Sequence, residues 1–331
     1  MNKNVLLLCG GSGSEHEISL LSAQYIAQQL SQVDDITVKQ VIIEKDHWLD
    51  VESNPVTFDL HRRAICWQDQ QWPIDYIIPC IHGFPGETGD IQSLFKLANL
   101  PYLGCGPEAS SNSFNKITSK LWYDTLGIPN TPYLFLTSPE EDSHAKAESF
   151  FKQWGEVFVK AASQGSSVGC YKVSELSQLN HAIEQAFGFS DQVLIEKAVK
   201  PRELEVAVYQ FNGELHVTYP GEIVVASDTF YSYEEKYSSS SHARTDVEAK
   251  NLSSEQVDKI KHYAAVVFTQ MKLKDLARVD FFLTPEGEVY MNEVNTFPGM
   301  TPISMFPKML ENHGHRFSQF LVDRIVAATQ A

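Results

Sequence analysis

The sequence predicts an α/β protein built from more than one packed unit: a parallel α/β layer first, then a larger region of mixed α and β structure. Three observations carry this. A continuous apolar run at residues 5–9 ends in Gly10-Gly11 and leads into helical spacing, as a buried strand feeding a helix does. Strand-like runs at 38–43 and 76–81 alternate with helical segments across roughly residues 1–103. The chain, at 331 residues, is too long for one ordinary small core and suits two or three units.

The elements follow in order. Ser14 and Glu17 match the S-x-x-E capping box, and Ile18, Leu21 and Tyr25 form an apolar stripe behind it. Pro101, Gly104 and Gly106 mark a boundary, after which a helix is expected over 109–126, stopped by Gly127-Ile128-Pro129. Strands are expected at 157–161, 168–173 and 193–196, which places a middle unit at 104–195. The last unit, 196–331, opens with a strand at 204–211 and a hairpin signal at Asn212-Gly213. The polar stretch 228–246, with serines at 238–241, reads as a long surface loop of the kind that often serves as an active-site lid. A helix at 256–271 and strands at 277–283 and 288–294 complete the pattern.

Composition narrows the function. A hydrophobic share of 43 % with 21 % charged residues is that of a globular protein. The net charge of -16 disfavours nucleic acid and anionic membranes as partners, so any nucleotide must be held by a few local cations. Cys9, Cys66, Cys80, Cys105 and Cys170 are odd in number and lack a C-x-x-C pair, which argues against a zinc site or disulfide framework. A reducing, cytoplasmic setting is expected, and the apolar run at 5–9 is too short for a signal core or a membrane span.

Four segments can carry chemistry. In the first, strands at 277–283 and 288–294 flank Pro285-Glu286-Gly287, and the implied hairpin puts Asp280 opposite Asn292 or Glu293. Strand alternation places Arg278 with Asp280 on one face, and Glu293 with Asn295. Carboxylates set among Val279, Phe281, Met291 and Val294 are rarely left unpaired, and their hard oxygens with the Asn295 amide suit Mg²⁺. Solvated charges on a hairpin are the plain alternative. In the second, Lys160 precedes Gly165-Ser166-Ser167-Val168-Gly169, which is no Walker A loop but a small-residue turn between strands, able to fold over phosphates or to be a turn only. In the third, Gly10-Gly11-Ser12-Gly13 lacks the dinucleotide spacing, and Glu15 beside it would repel a phosphate and suit a ligand ammonium. The fourth is His82, which stands at the end of the third strand, where open α/β sheets bind ligands, although a lone His is more often a structural hydrogen-bonder.

Taken in order, these segments resemble the D-alanine–D-alanine ligase family of the ATP-grasp fold. The likeness runs from Val5 to Pro307 and is most specific at Glu15-His16-Glu17-Ile18-Ser19-Leu20, His82-Gly83 with Gly86-Glu87, and Gly165-Ser166-Ser167-Val168-Gly169. Phe230-Tyr231-Ser232-Tyr233-Glu234-Glu235-Lys236-Tyr237 is a further match, and so is the stretch from Asn292-Glu293-Val294-Asn295 through Pro298-Gly299 to Thr301-Pro302-Ile303-Ser304. The resemblance implies an ATP-grasp enzyme with a Rossmann-like N-terminal α/β domain, acting as a homodimer on ATP and D-alanine with two Mg²⁺ or Mn²⁺ ions. It implies that Lys116, Lys160 and Lys236 hold ATP phosphates, that Glu196 and Glu203 bind the adenine amino group and the ribose, and that Asp280, Glu293 and Asn295 bind the ions. Glu15 would hold the ammonium of the first D-alanine, linked to Ser166 and Tyr237, with His82 in the substrate site. Arg278 and the Gly299 backbone would stabilise the oxyanion, and Ser304 would hold the second carboxylate. Gly13, Thr88 and Ala198 depart from the usual pattern, Ala198 where a large residue often covers the adenine. Related ligases that add D-lactate lack the lid tyrosine, so Tyr237 favours D-alanine as the second substrate.

Overall fold

The computed structural model describes residues 2–45, 47–224 and 244–330. Its first sheet is made by β1 (Lys3–Gly10), β2 (Ile36–Ile43), β3 (Trp48–Asp50), β4 (Pro55–Asp59), β5 (Ala64–Trp67), β6 (Gln70–Pro73) and β7 (Tyr76–Pro79), in the order β6-β5-β4-β3-β2-β1-β7. Only β2, β1 and β7 run parallel. The intervening strands form an antiparallel meander that the alternating pattern did not announce. Its strands are three to five residues long, too short for a periodic signal, and its turns use Ser53, Arg63 and Gln68 at positive φ instead of glycine.

Helix α1 (His16–Leu30) crosses the parallel layer. It starts at His16 with Glu15 as the N-cap and no side-chain cap bond, so the expected Ser14–Glu17 capping box does not form. The chain needs a wider turn after β1. Gly10, at φ +88, has Ile43 O only 2.6 Å from where a Cβ would lie, and Ser19 Oγ ties the helix to the Gly10 N–H and the Cys80 carbonyl. Helix α2 (Asp90–Leu97) follows β7.

The helix expected over 109–126 is two helices, α3 (Pro107–Phe114) and α4 (Lys116–Thr125). Asn115 breaks them: its backbone is extended, and its side chain accepts from the Ile117 and Thr118 N–H groups, capping α4. A four-stranded antiparallel sheet follows, built from β8 (Tyr133–Leu136), β9 (Val157–Ala161), β10 (Cys170–Val173) and β11 (Val193–Lys197), in the order β10-β9-β11-β8. Its back is covered by α5 (Glu141–Trp154) and α6 (Leu176–Phe187).

The third sheet contains β12 (Arg202–Phe211), β13 (Glu214–Val217), β14 (Gly221–Val224) and β15 (Arg244–Asp246). After α7 (Ser254–Gln270) it gains β16 (Leu276–Leu283) and β17 (Val289–Asn295), giving the order β15-β14-β12-β16-β17 with β13 paired to β12. Asn212 and Gly213 both take positive φ, as the hairpin signal requires. Helices α8 (Met305–Asn312) and α9 (Phe317–Thr329) then return to the first sheet. One core joins Val5, Leu7 and Ile26 to Tyr209, Phe306 and Ile325, and Tyr25 stacks on Phe317 at 5.7 Å. The two ends of the chain thus share apolar burial, the main favourable term in folding.

Candidate active site

The three sheets meet at one cavity of about 990 Å³, at the upper end of the roughly 300–1,000 Å³ usual for small-molecule sites. Glu15, His82, Lys116, Lys160, Ser166, Glu203, Arg278, Asp280, Glu293, Asn295, Gly299 and Ser304 all line it. Lys236 and Tyr237 lie outside the described residues, as does most of the expected lid.

The β16–β17 hairpin sets the charged floor. Asp280 pairs in register with Glu293 and Arg278 with Asn295, and a register shift follows between Asp280 and Phe281 that sets Asn292 out of the pairing. Of the two partners expected for Asp280, Glu293 is therefore the one found. Arg278 grips Asp280 with two bonds of 2.8 Å, and Asn295 donates to the same carboxylate at 3.0 Å. Glu205, opposite Asp280 on β12, lies 3.3 Å from the Arg278 guanidinium. Burial would lower the pKa of Arg278, but Asp280 and Glu205 more than reverse it and fix the charge. Glu205 was legible by the signal that exposed Asp280, a carboxylate inside an apolar strand, yet it was missed.

Two carboxylates and an amide oxygen match the hard donors that Mg²⁺ takes, and Mg²⁺ usually binds one or two carboxylates together with substrate phosphates and water. Among the described residues no three His, Cys, Asp or Glu side chains converge as a metal site by themselves. The fit therefore rests on Asp280, Glu293 and Asn295 together with ligand oxygens.

Glu15 faces the Gly-rich turn. Its Oε2 lies 3.0 Å from where a Cβ on Gly165 would stand, and 3.6 Å from the equivalent point on Gly83. Ser166 and Ser167 both take positive φ, an uncommon conformation for residues with a Cβ. Glu87, which the sequence reading quoted in a motif but gave no role, bridges two loops: Oε2 accepts from Gly83 N–H at 2.9 Å and Oε1 from Phe297 N–H at 3.3 Å. Burial and the Glu15 carboxylate push its carboxyl up to about 8. The preceding Gly86 permits this, because a Cβ there would come within 2.0 Å of Ile81 O.

His82 is buried, with Nδ1 3.0 Å from Phe297 O and Nε2 3.2 Å from Ser22 Oγ. The carbonyl requires a proton on Nδ1, so Nε2 accepts from the Ser22 hydroxyl, which in turn accepts from Met300 N–H at 3.1 Å. Burial holds the His82 pKa below its ordinary value against the pull of Glu15. His82 thus anchors the loop carrying Gly299 while also bordering the cavity. Ser304 is the N-cap of α8, and its Oγ accepts from Thr301 N–H at 3.1 Å.

Lys116 opens α4 and donates to Gln164 O at 2.5 Å, at the edge of the Gly-rich turn. Lys160 reaches the cavity from β9. Glu196 does not line the cavity. It is 3 % exposed, and its two carboxylate oxygens pair with Lys120 and Lys160. The structure thus sets Glu196 directly against Lys160, whose ammonium reaches the cavity.

Residues 4–105 match the family model for the D-ala D-ala ligase N-terminus, and residues 122–327 that for its C-terminus. The chain belongs to the D-alanine–D-alanine ligase family. A D-alanine–D-alanine ligase of Vibrio parahaemolyticus is 63 % identical over 99 % of this chain and 100 % of its own length. The crystal structure of D-alanyl-alanine synthetase A from Vibrio cholerae superposes with a TM-score of 0.96 at 59 % identity, covering 100 % of this chain and 99 % of that one. A D-Ala:D-Ser ligase from Enterococcus faecalis superposes with a TM-score of 0.86 at 26 % identity, covering 99 % of this chain and 100 % of that one. The fold is the ATP-grasp fold of this ligase family, preceded by a Rossmann-like α/β domain.

Proposed function

We propose that this chain joins two molecules of D-alanine with ATP to give D-alanyl-D-alanine, ADP and phosphate, the dipeptide being a peptidoglycan precursor. One observation carries the reading: an anion suited to an ammonium, Glu15, shares one cavity with the cations Lys116, Lys160 and Arg278 and with the Asp280–Glu293 pair. Likeness over the full length to ligases of this name supports it.

In the first step the carboxylate of one D-alanine attacks the γ-phosphorus of ATP, the bond to ADP breaks, and an acylphosphate forms. Lys116 and Lys160 hold the phosphates, with Lys236 assigned the γ-phosphate, and Glu203 holds the ribose. Such transfer depends mainly on positioning and charge neutralisation. Asp280, Glu293 and Asn295 hold the Mg²⁺ or Mn²⁺ ions, which when bound neutralise phosphate charge. Glu15 holds the ammonium of this first D-alanine, with Ser166 and Tyr237 beside it and His82 fixing the neighbouring loop. In the second step the amine of the other D-alanine, having lost a proton, attacks the acyl carbon, and phosphate leaves. Arg278 and the Gly299 N–H face the oxyanion. Ser304, at the N-terminus of α8, receives the second carboxylate where the helix dipole favours an anion.

The working unit is proposed to be a cytoplasmic homodimer. No helix among the described residues is long and apolar enough to cross a membrane. The test is product analysis by mass spectrometry with ATP, Mg²⁺ and D-alanine, with D-serine and D-lactate as competitors. D-alanyl-D-alanine as the main product supports the reading, and a mixed dipeptide or ester as the main product overturns the choice of second substrate.

A further inference from the structure

Beneath the cavity three charged side chains form a buried row with an excess of positive charge. Lys120, on α4, is only 2 % exposed, which a lysine rarely is unless paired. Its ammonium lies 2.6 Å from Glu196 and donates to Asn130 Oδ1 and Thr131 O, each at 3.0 Å. The other Glu196 oxygen pairs with Lys160, the one member of the row that lines the cavity. Two ammonium groups and one carboxylate sum to one positive charge. Lys120 has filled its three donor positions with protein oxygens, so the excess is presented at Lys160. Without Lys120, Glu196 and Lys160 would be a neutral pair and a poor partner for a phosphate.

We infer that Lys120 is a positioning residue: it takes up the charge of Glu196, so that Lys160 meets the ATP phosphates as a net cation held in place. This rests on the proposed phosphate role of Lys160. The electrostatics agree in direction. Burial would raise the Glu196 carboxyl, yet the two lysines bring it down to about 2. Burial lowers Lys120 in spite of Glu196, whereas Lys160 ends above the ordinary lysine value because of it.

The experiment compares ATP and adenosine binding by calorimetry, with KM for ATP and kcat, in the parent, Lys120→Met, Lys120→Gln and Lys160→Met. Losing one charge-assisted contact corresponds to roughly ten- to a hundredfold in ATP affinity. Lys120→Met should therefore weaken ATP and raise its KM, leave adenosine binding unchanged, and lower kcat at saturating ATP much less. Lys120→Gln reads the same quantity if the methionine variant does not fold. A folded Lys120 variant with parental ATP affinity, or an equal loss of ATP and adenosine, would overturn the inference. If Lys160→Met also keeps parental ATP affinity, the phosphate role of Lys160 falls and the inference with it.

Discussion

Replacing Glu87 by Gln is expected to stabilise the protein in alkaline solution relative to the parent. Glu87 is half-buried between the Gly83 and Phe297 N–H groups, 2.9 and 3.3 Å away. Burial first and the Glu15 carboxylate second push its carboxyl from the ordinary 4.5 up to about 8, against the pull of the two backbone donors and Arg278. In the unfolded chain it ionises near the ordinary value. Between those values the folded protein keeps a proton that the unfolded chain has released. This contribution to stability is therefore complete below 4.5 and is lost as pH rises through about 8. Each pH unit of the gap corresponds to about 1.4 kcal/mol, or about 5 kcal/mol for a group wholly removed from water. Partial exposure screens the effect, leaving about 2–3 kcal/mol. Gln has no proton to lose, and any constant change in hydrogen bonding cancels between two pH values. Urea unfolding of both proteins near pH 5 and near pH 9 measures the difference. The advantage of the variant should grow by about 2–3 kcal/mol from acid to alkali. A difference that is the same at both values would refute the reasoning and show that Glu87 ionises as an ordinary carboxylate.

Arg278→Met should lower kcat by about 10²–10³ while changing ATP affinity less, as expected for the loss of an oxyanion donor; collapse of ATP affinity with kcat intact would make Arg278 a nucleotide ligand. The same change strands Asp280 and Glu205, which Arg278 now pairs, so the folded state should lose about 3–5 kcal/mol in urea unfolding. Glu293→Gln should raise the Mg²⁺ concentration needed for half-maximal phosphate release and reduce turnover, and parental activity at limiting Mg²⁺ would remove Glu293 from the ion site. Asn115→Ala removes a cap that serves two N–H groups and should cost about 1–2 kcal/mol. It should also raise KM for ATP, because Lys116 is the first residue of the capped helix.

By itself the sequence determined the elements with strong local signals and most of the charged residues that line the cavity. The apolar runs became β1, β7 and β9, and Asn212-Gly213 turned the β12–β13 hairpin because both residues accept positive φ. Strand alternation alone put Arg278 with Asp280, and counting from the turn reached Glu293 within one residue. Short-range structure is legible because it depends on near neighbours in the chain. Only the tertiary structure decided the rest. The meander of β3–β6 is local but its strands are too short to carry a period, whereas the absent capping box at α1 depends on contacts from far along the chain, and the local cap at Asn115 is held in place by such contacts as well. The capping side chain of Asn115 also meets Ser163 and Gln192, and the turn into α1 is set by Ile43 O from another strand. Glu196 shows this most clearly. In the sequence it is one more carboxylate near the end of an apolar strand, and its ion pairs are with Lys120 and Lys160, which lie 76 and 36 residues before it. Burial makes that pairing obligatory, because a carboxylate taken out of water must find its cations wherever the fold brings them.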